Sequence, residues 1–175
     1  MPEQEAASPP RRPSLARALV LGALLVAVDA FFLNQGALAL VVGLWLLFVS
    51  LPRTFLARKF QAVRRERLTN LAVYFVAVIL VFVLNAWNNS MARSRAEVLI
   101  SAVKSFHARN QRYPNSLEEL VPQFIDRVPL AKYTFTFNNF WYRTSAESTV
   151  LFYVEVPPFG RPTYSFTRNE WGYLD

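Results

Sequence analysis

A chain of 175 residues that is 53% hydrophobic is too apolar for an ordinary soluble domain, and it has room for several membrane spans and one small folded unit. The absence of cysteine excludes a disulfide framework, a thiolate nucleophile and any cysteine metal site. Of the net charge of +7, +5 falls in residues 1–87 (nine Lys/Arg against four Asp/Glu), and six of those bases lie between Arg53 and Arg67, in a run with no nucleic-acid reading module.

Residues 1–17 read as a polar, proline-containing cytoplasmic tail. Arg11 and Arg12 stand just before the first apolar run and raise a twin-arginine export signal as an alternative. A second apolar run follows at once, which a cleaved signal does not need, so an uncleaved membrane helix is expected. Residues 18–51 are that double run. A single helix of this length would overshoot an ~30 Å hydrocarbon core by about two-thirds. The expectation is therefore a transmembrane hairpin turning at Asn34-Gln35-Gly36, where Asn and Gly tolerate positive φ. Asp29 is the one ionisable residue inside it, and an intramembrane carboxylate is a functional candidate by default. Its place little more than a turn from the bend gives the plainer expectation that its charge reaches water at the far interface.

Pro52 is expected to stop the second helix, leaving residues 52–68 as a basic cytoplasmic connector with an apolar face of Phe55, Leu56, Phe60 and Val63. Residues 69–88 form a third span, apolar from Leu71 to Trp87 except for Asn85, with Trp87 placed for the opposite interface. No Pro or Gly ends this helix before about Asn110. Along its second half Ala92, Ala96, Leu99, Val103 and Phe106 recur on one face. Three crossings put residues 89–175 outside.

In that outer part Arg112-Tyr113-Pro114-Asn115 reads as a turn. Ser116 and Glu119 have capping-box spacing, which opens a short helix ended by Pro122. Gln123 to Pro129 then carries Phe124, Ile125 and Val128 inward. Alternation predicts strands over Tyr133–Phe137, Val150–Val156 and Thr163–Thr167, with shorter ones at Phe140–Tyr142 and Trp171–Tyr173. Tyr133, Phe135, Phe152 and Val154 are expected to cover Leu99, Val103 and Phe106. The fold class is thus an α+β membrane protein, in which a helical hairpin precedes a long transmembrane-to-soluble helix packed on a small antiparallel meander.

No catalytic constellation is legible. His107 lacks a second His or an acid at i±4, and adjacent Glu118 and Glu119 point different ways on a helix. No serine sits in Gly-x-Ser-x-Gly, and five glycines form no phosphate loop. The expectation is no enzyme, no cofactor, no metal and no small-molecule substrate. Phe140, Trp141, Tyr142 and Trp171 exceed what core alternation requires, and they are the candidate partner-binding patch. The expected partners are membrane lipid and other membrane-complex proteins, with no nucleic acid.

The residues Tyr113-Pro114, Ser116-Leu117, Leu120-Val121-Pro122, Phe124-Ile125 and Val128-Pro129, following a membrane helix that becomes amphipathic, resemble the type IV pilin-like family. The nearest likeness is to the major pseudopilin of type II secretion systems, over residues 69–175. The resemblance implies a pilin-like periplasmic domain on a bacterial inner membrane, in an assembly, scaffold or accessory subunit of a membrane or secretion complex. The family places Gly, an aromatic and a Glu at the start of its apolar helix. This chain has Arg67-Leu68-Thr69-Asn70-Leu71-Ala72-Val73-Tyr74 there, so a prepilin peptidase site and a filament-registering carboxylate are missing. Two other readings are a transport or channel component using Asp29 and an auxiliary subunit of a larger membrane enzyme.

Overall fold

The computed structural model describes residues 15–56 and 61–174. Arg11, Arg12, Phe60 and the side chain of Val63, on which the export-signal and connector readings rest, lie outside that description. Among the described residues three helices are long and apolar enough to cross a membrane: α1 (Leu15–Leu33), α2 (Ala37–Leu56) and the apolar part of α3 (Gln61–Asn110). They are followed by a short 3₁₀ turn (Leu117–Leu120) and four strands, β1 (Trp141–Thr144), β2 (Thr149–Phe152), β3 (Arg161–Ser165) and β4 (Glu170–Leu174). The strands form one antiparallel sheet in the order β1-β2-β3-β4.

Small residues let the three helices approach. Gly22 of α1 lies where an added Cβ would sit 3.4 Å from Ala77 and 3.5 Å from Val73 of α3, and Gly43 of α2 lies as close to Val78. Between them Ala39, Leu46, Leu71, Val78 and Val81 are buried together. In apolar surroundings such close backbone contact replaces the hydrophobic effect as the source of helix association. The chain reverses at Asn34 (φ 50°) and Gly36 (φ 73°). A side chain at Gly36 would be strained by that φ and would also meet Phe82 at 3.0 Å.

Two boundaries differ from the sequence reading. Pro52 does not stop the second helix, which runs on to Leu56. The reason is a π-wound stretch, Leu46–Ser50, after which the Leu51 N–H bonds back to Leu46. That wider turn, just ahead of a residue with no N–H to lose, makes room for the ring. The long helix starts at Gln61, not Thr69, so the second half of the basic connector belongs to α3. At fifty residues α3 is roughly 75 Å long.

The second half of α3 carries the core of the outer part. Ala92, Ala96, Leu99, Ile100, Val103 and Phe106 are buried with Leu117, Leu120, Phe140, Leu151, Tyr153, Tyr164 and Phe166. The helix stripe is the one that the spacing marks, but its cover differs. On β2 the inward residue is Leu151, followed by Tyr153, whereas Phe152 turns outward and stacks on Trp141 at 5.6 Å. Tyr133–Phe137 is not a strand at all, and its three aromatics are exposed. The capping box also re-forms. Glu119 accepts the Asn115 N–H at 3.1 Å, whereas the Ser116 hydroxyl bonds Glu118 and holds that carboxyl below its ordinary range.

Candidate functional site

Asp29 is wholly buried, so its charge does not reach water as expected from its distance to the bend. Its carboxylate turns back on the chain. One oxygen accepts the Gly36 N–H at 2.9 Å and the other the Ala39 N–H at 2.7 Å. Gly36 is the N-cap of α2 and has no side chain with which to cap it. Asp29 supplies that acceptor from seven residues upstream. Asp29 is thereby the clasp of the reversal.

That reversal is docked on the domain. The Phe135 N–H donates to the Phe31 carbonyl at 2.8 Å, the Thr136 hydroxyl donates to the Phe32 carbonyl, and the rings of Phe32 and Phe135 stack 4.8 Å apart. Gln35 Nε2 donates to the Pro157 carbonyl at 2.6 Å. From α3, the Asn88 side chain accepts the Tyr133 N–H at 3.2 Å, and Arg95 donates to the Leu130 carbonyl while lying over the Tyr133 ring. The Tyr133 and Phe135 N–H groups and the Thr136 hydroxyl therefore go to the helices, not to a neighbouring strand. This explains why an alternating sequence forms an irregular foot.

The four aromatic candidates do not form one patch. Phe140 lies in the core, edge-on to Tyr153. Tyr142 packs its ring against Phe166, and burial pushes its hydroxyl up to about 12. Trp171 sits on β4 at the far edge of the sheet, against Tyr153 and Tyr164. Its Nε1 donates to Glu97 at 3.1 Å, and the Arg93 guanidinium lies 3.6 Å from the centre of its ring. Trp141 alone of the four faces outward, paired across the ladder with Phe152. Phe140, Trp141 and Tyr142 do share one cleft of about 560 Å³ along the β1 edge, opposite Asn115, Ser116 and Glu118. His107 stacks on Tyr113, 4.2 Å between ring centres.

Lys132 is a buried cation that no local pattern singles out. It is fully buried, and its ammonium donates to the Glu155 carbonyl at 2.7 Å. Burial pulls its pKa down to about 8, against a smaller opposing pull from the Glu155 charge. A lysine with a folded pKa below its unfolded one binds fewer protons folded than unfolded, so stability rises with pH in that window. Melting of the whole protein should thus gain about 2 kcal/mol between about pH 8 and about pH 10, and Lys132→Met should abolish the gain. Above about pH 10 the sign reverses, because buried Tyr142 and Tyr153, both raised to about 12, keep protons that the unfolded chain has released. A wild-type stability flat across that range would refute the buried charge.

Comparison with protein-family models, with curated proteins and with solved structures gives no match to this chain.

Proposed function

We propose that this chain is a non-enzymatic integral membrane protein of a bacterial inner membrane. Its pilin-like domain stands in the periplasm on a permanent three-helix anchor. It serves as an assembly, scaffold or accessory subunit of a membrane or secretion complex. The observation that carries this reading is the rigid continuity of α3, which passes from the apolar bundle into the core of the domain without a break. A domain held this way presents its exposed sheet edge at a fixed height and angle. β1 is an edge strand, with outward Trp141 and a cleft beside it lined by Asn115, Ser116 and Glu118. An open edge next to a cleft can accept an extended segment of a partner, with backbone hydrogen bonds giving affinity and side-chain pockets giving specificity.

The experiment is purification of the tagged full-length protein in a mild detergent. A stoichiometric membrane-protein partner should co-purify, and Trp141→Glu should reduce its recovery without changing the melting temperature of the protein itself. Recovery of a lone chain, or substrate turnover that His107→Ala or Glu118→Gln abolishes, would contradict the proposal.

A further inference from the structure

The segment 133–137 has its polarity turned inside out. Tyr133, Phe135 and Phe137 are exposed, whereas Thr134 is buried, with its hydroxyl bonded to the Thr136 carbonyl at 2.8 Å. An alternating segment on a water-facing surface puts its aromatics inward and its threonines outward. The reverse order suits a segment whose outer surroundings are apolar, and a run of exposed rings marks an interaction surface.

Two of the rings fix what those surroundings are. Phe135 stacks on Phe32 with 4.8 Å between ring centres, and its N–H donates to the Phe31 carbonyl. Phe32 stands in the last turn of α1, a helix long and apolar enough to cross a membrane, and it is itself 53% exposed. Tyr133 lies 6.2 Å from Trp87, which is exposed on α3. The two contacts share one height. Gly36, four residues after Phe32, lies against Phe82 and Asn85 of α3, within about one and a half turns of Trp87. Phe135, 71% exposed, is therefore held where the lipid-facing residues of the spans end.

The polar groups here fit the same level. The Arg95 guanidinium lies 4.4 Å from the centre of the Tyr133 ring. A ring with a hydroxyl tip and a long-stemmed cation both favour the boundary between headgroups and acyl chains, where aromatic belts form. A bilayer around the spans reaches all of these rings without any further partner.

We propose that segment 133–137 is seated in the outer interfacial layer of the membrane, with Phe135 and Phe137 among the upper acyl chains and Tyr133 among the headgroups. The inference rests on the reading that α1 to α3 cross a membrane. It makes the bilayer surface a third support of the domain, beside α3 and the reversal. Lipid then helps to fix the tilt of the sheet and of its β1 edge.

The test uses the full chain, which has no native cysteine, reconstituted in phosphatidylcholine vesicles with one spin label at a time. Collision with oxygen, which concentrates in the bilayer, is compared with collision with a water-soluble nickel chelate. Phe135→Cys and Phe137→Cys carry the label into the segment. Ile79→Cys, exposed midway along the apolar half of α3, is the deep reference, and Ser145→Cys, exposed in the β1–β2 turn, is the aqueous one. Labels at 135 and 137 should lie about 5–10 Å below the headgroup surface, with oxygen collisions dominant. Phe137→Cys leaves the stack of Phe32 on Phe135 intact, so it decides the matter if Phe135→Cys loosens the segment.

Nickel-dominated collisions at 137, as at 145, with the label at 79 deep would put the segment in water and overturn the seating. Weak collision with both reagents at 137 would mean that a second copy or another protein covers the rings, and it would overturn the seating too. Nickel access at 79 would defeat the membrane reading itself, which separates its failure from that of the seated segment.

Discussion

Leu99→Ala should lower the stability of the sheet-bearing domain by about 2–5 kcal/mol, the cost of deleting a buried isobutyl group and leaving a cavity. Leu99 is fully buried at the centre of the stripe between Ala96 and Val103, and the core it serves is small. A domain of this size holds only a few kcal/mol in reserve, so the substitution should unfold most of it at ordinary temperature. Ser101, two residues on and exposed, is the matched control, and Ser101→Ala should cost less than about 0.5 kcal/mol. Lys104 is exposed too, but it is a poorer control. Its ammonium donates to Asn169 at 2.6 Å and lies over the Tyr164 ring. The readout is a near-ultraviolet circular dichroism melt of the full chain in micelles, which reports all four tryptophans, Trp141 and Trp171 of the sheet among them. If the Leu99 and Ser101 variants melted together, the stripe would not be a core face.

Asp29→Ala should cost about 2–3 kcal/mol, measured as loss of the folded bundle in the same melts. The carboxylate satisfies two buried N–H groups at the start of α2, and alanine leaves both without a partner. The loss should spread outward, because Phe31, Phe32 and Gln35 of the same reversal hold the foot of the domain. Asp29→Asn keeps one acceptor oxygen and should cost distinctly less. The pair also separates the contact protein from the transport reading. A clasp loses stability in proportion to the acceptors removed and keeps its partner in Asp29→Asn. A proton- or ion-coupled protein would lose transport in Asp29→Asn with its fold intact.

Periodicity made the helices legible, together with the face of α3 that forms the core. Ala92, Ala96, Leu99, Val103 and Phe106 are spaced as only a one-sided helix requires, and they are buried on one side. Asn34 and Gly36 marked the reversal because few other residues accept positive φ. The destinations of hydrogen bonds were not legible. Tyr133–Phe137 alternates as a strand does, yet Thr136 finds its partner 104 residues away at Phe32, a distance no local pattern encodes. Strand parity failed on β2 for a related reason. Val150, Leu151, Phe152 and Tyr153 are all apolar enough to face inward, and only the ladder with Trp141 and Tyr164 decides which do. Of the four aromatics singled out as surplus, Phe140 lies in the core just ahead of β1, and Tyr142 and Trp171 pack half-buried against that core from β1 and β4. Arg17, Arg53 and Arg67 line one pocket at the end of the bundle away from the sheet, and they were not legible as a group because they are far apart in the chain until three helices bring them together.

The central claim is that three spans hold the domain on the opposite side of a membrane from the arginine-rich end. Single-cysteine labelling tests it directly, on a chain with no cysteine of its own to confuse the signal. Ser145→Cys and Arg65→Cys place a thiol at exposed positions, one in the β1–β2 turn and the other near the start of α3. A membrane-impermeant maleimide added to intact cells with an opened outer membrane should label Ser145→Cys at once. Arg65→Cys should react only after the inner membrane is permeabilised. Labelling of Arg65→Cys from outside with Ser145→Cys protected would invert the topology, and labelling of both from outside would remove the membrane from between them.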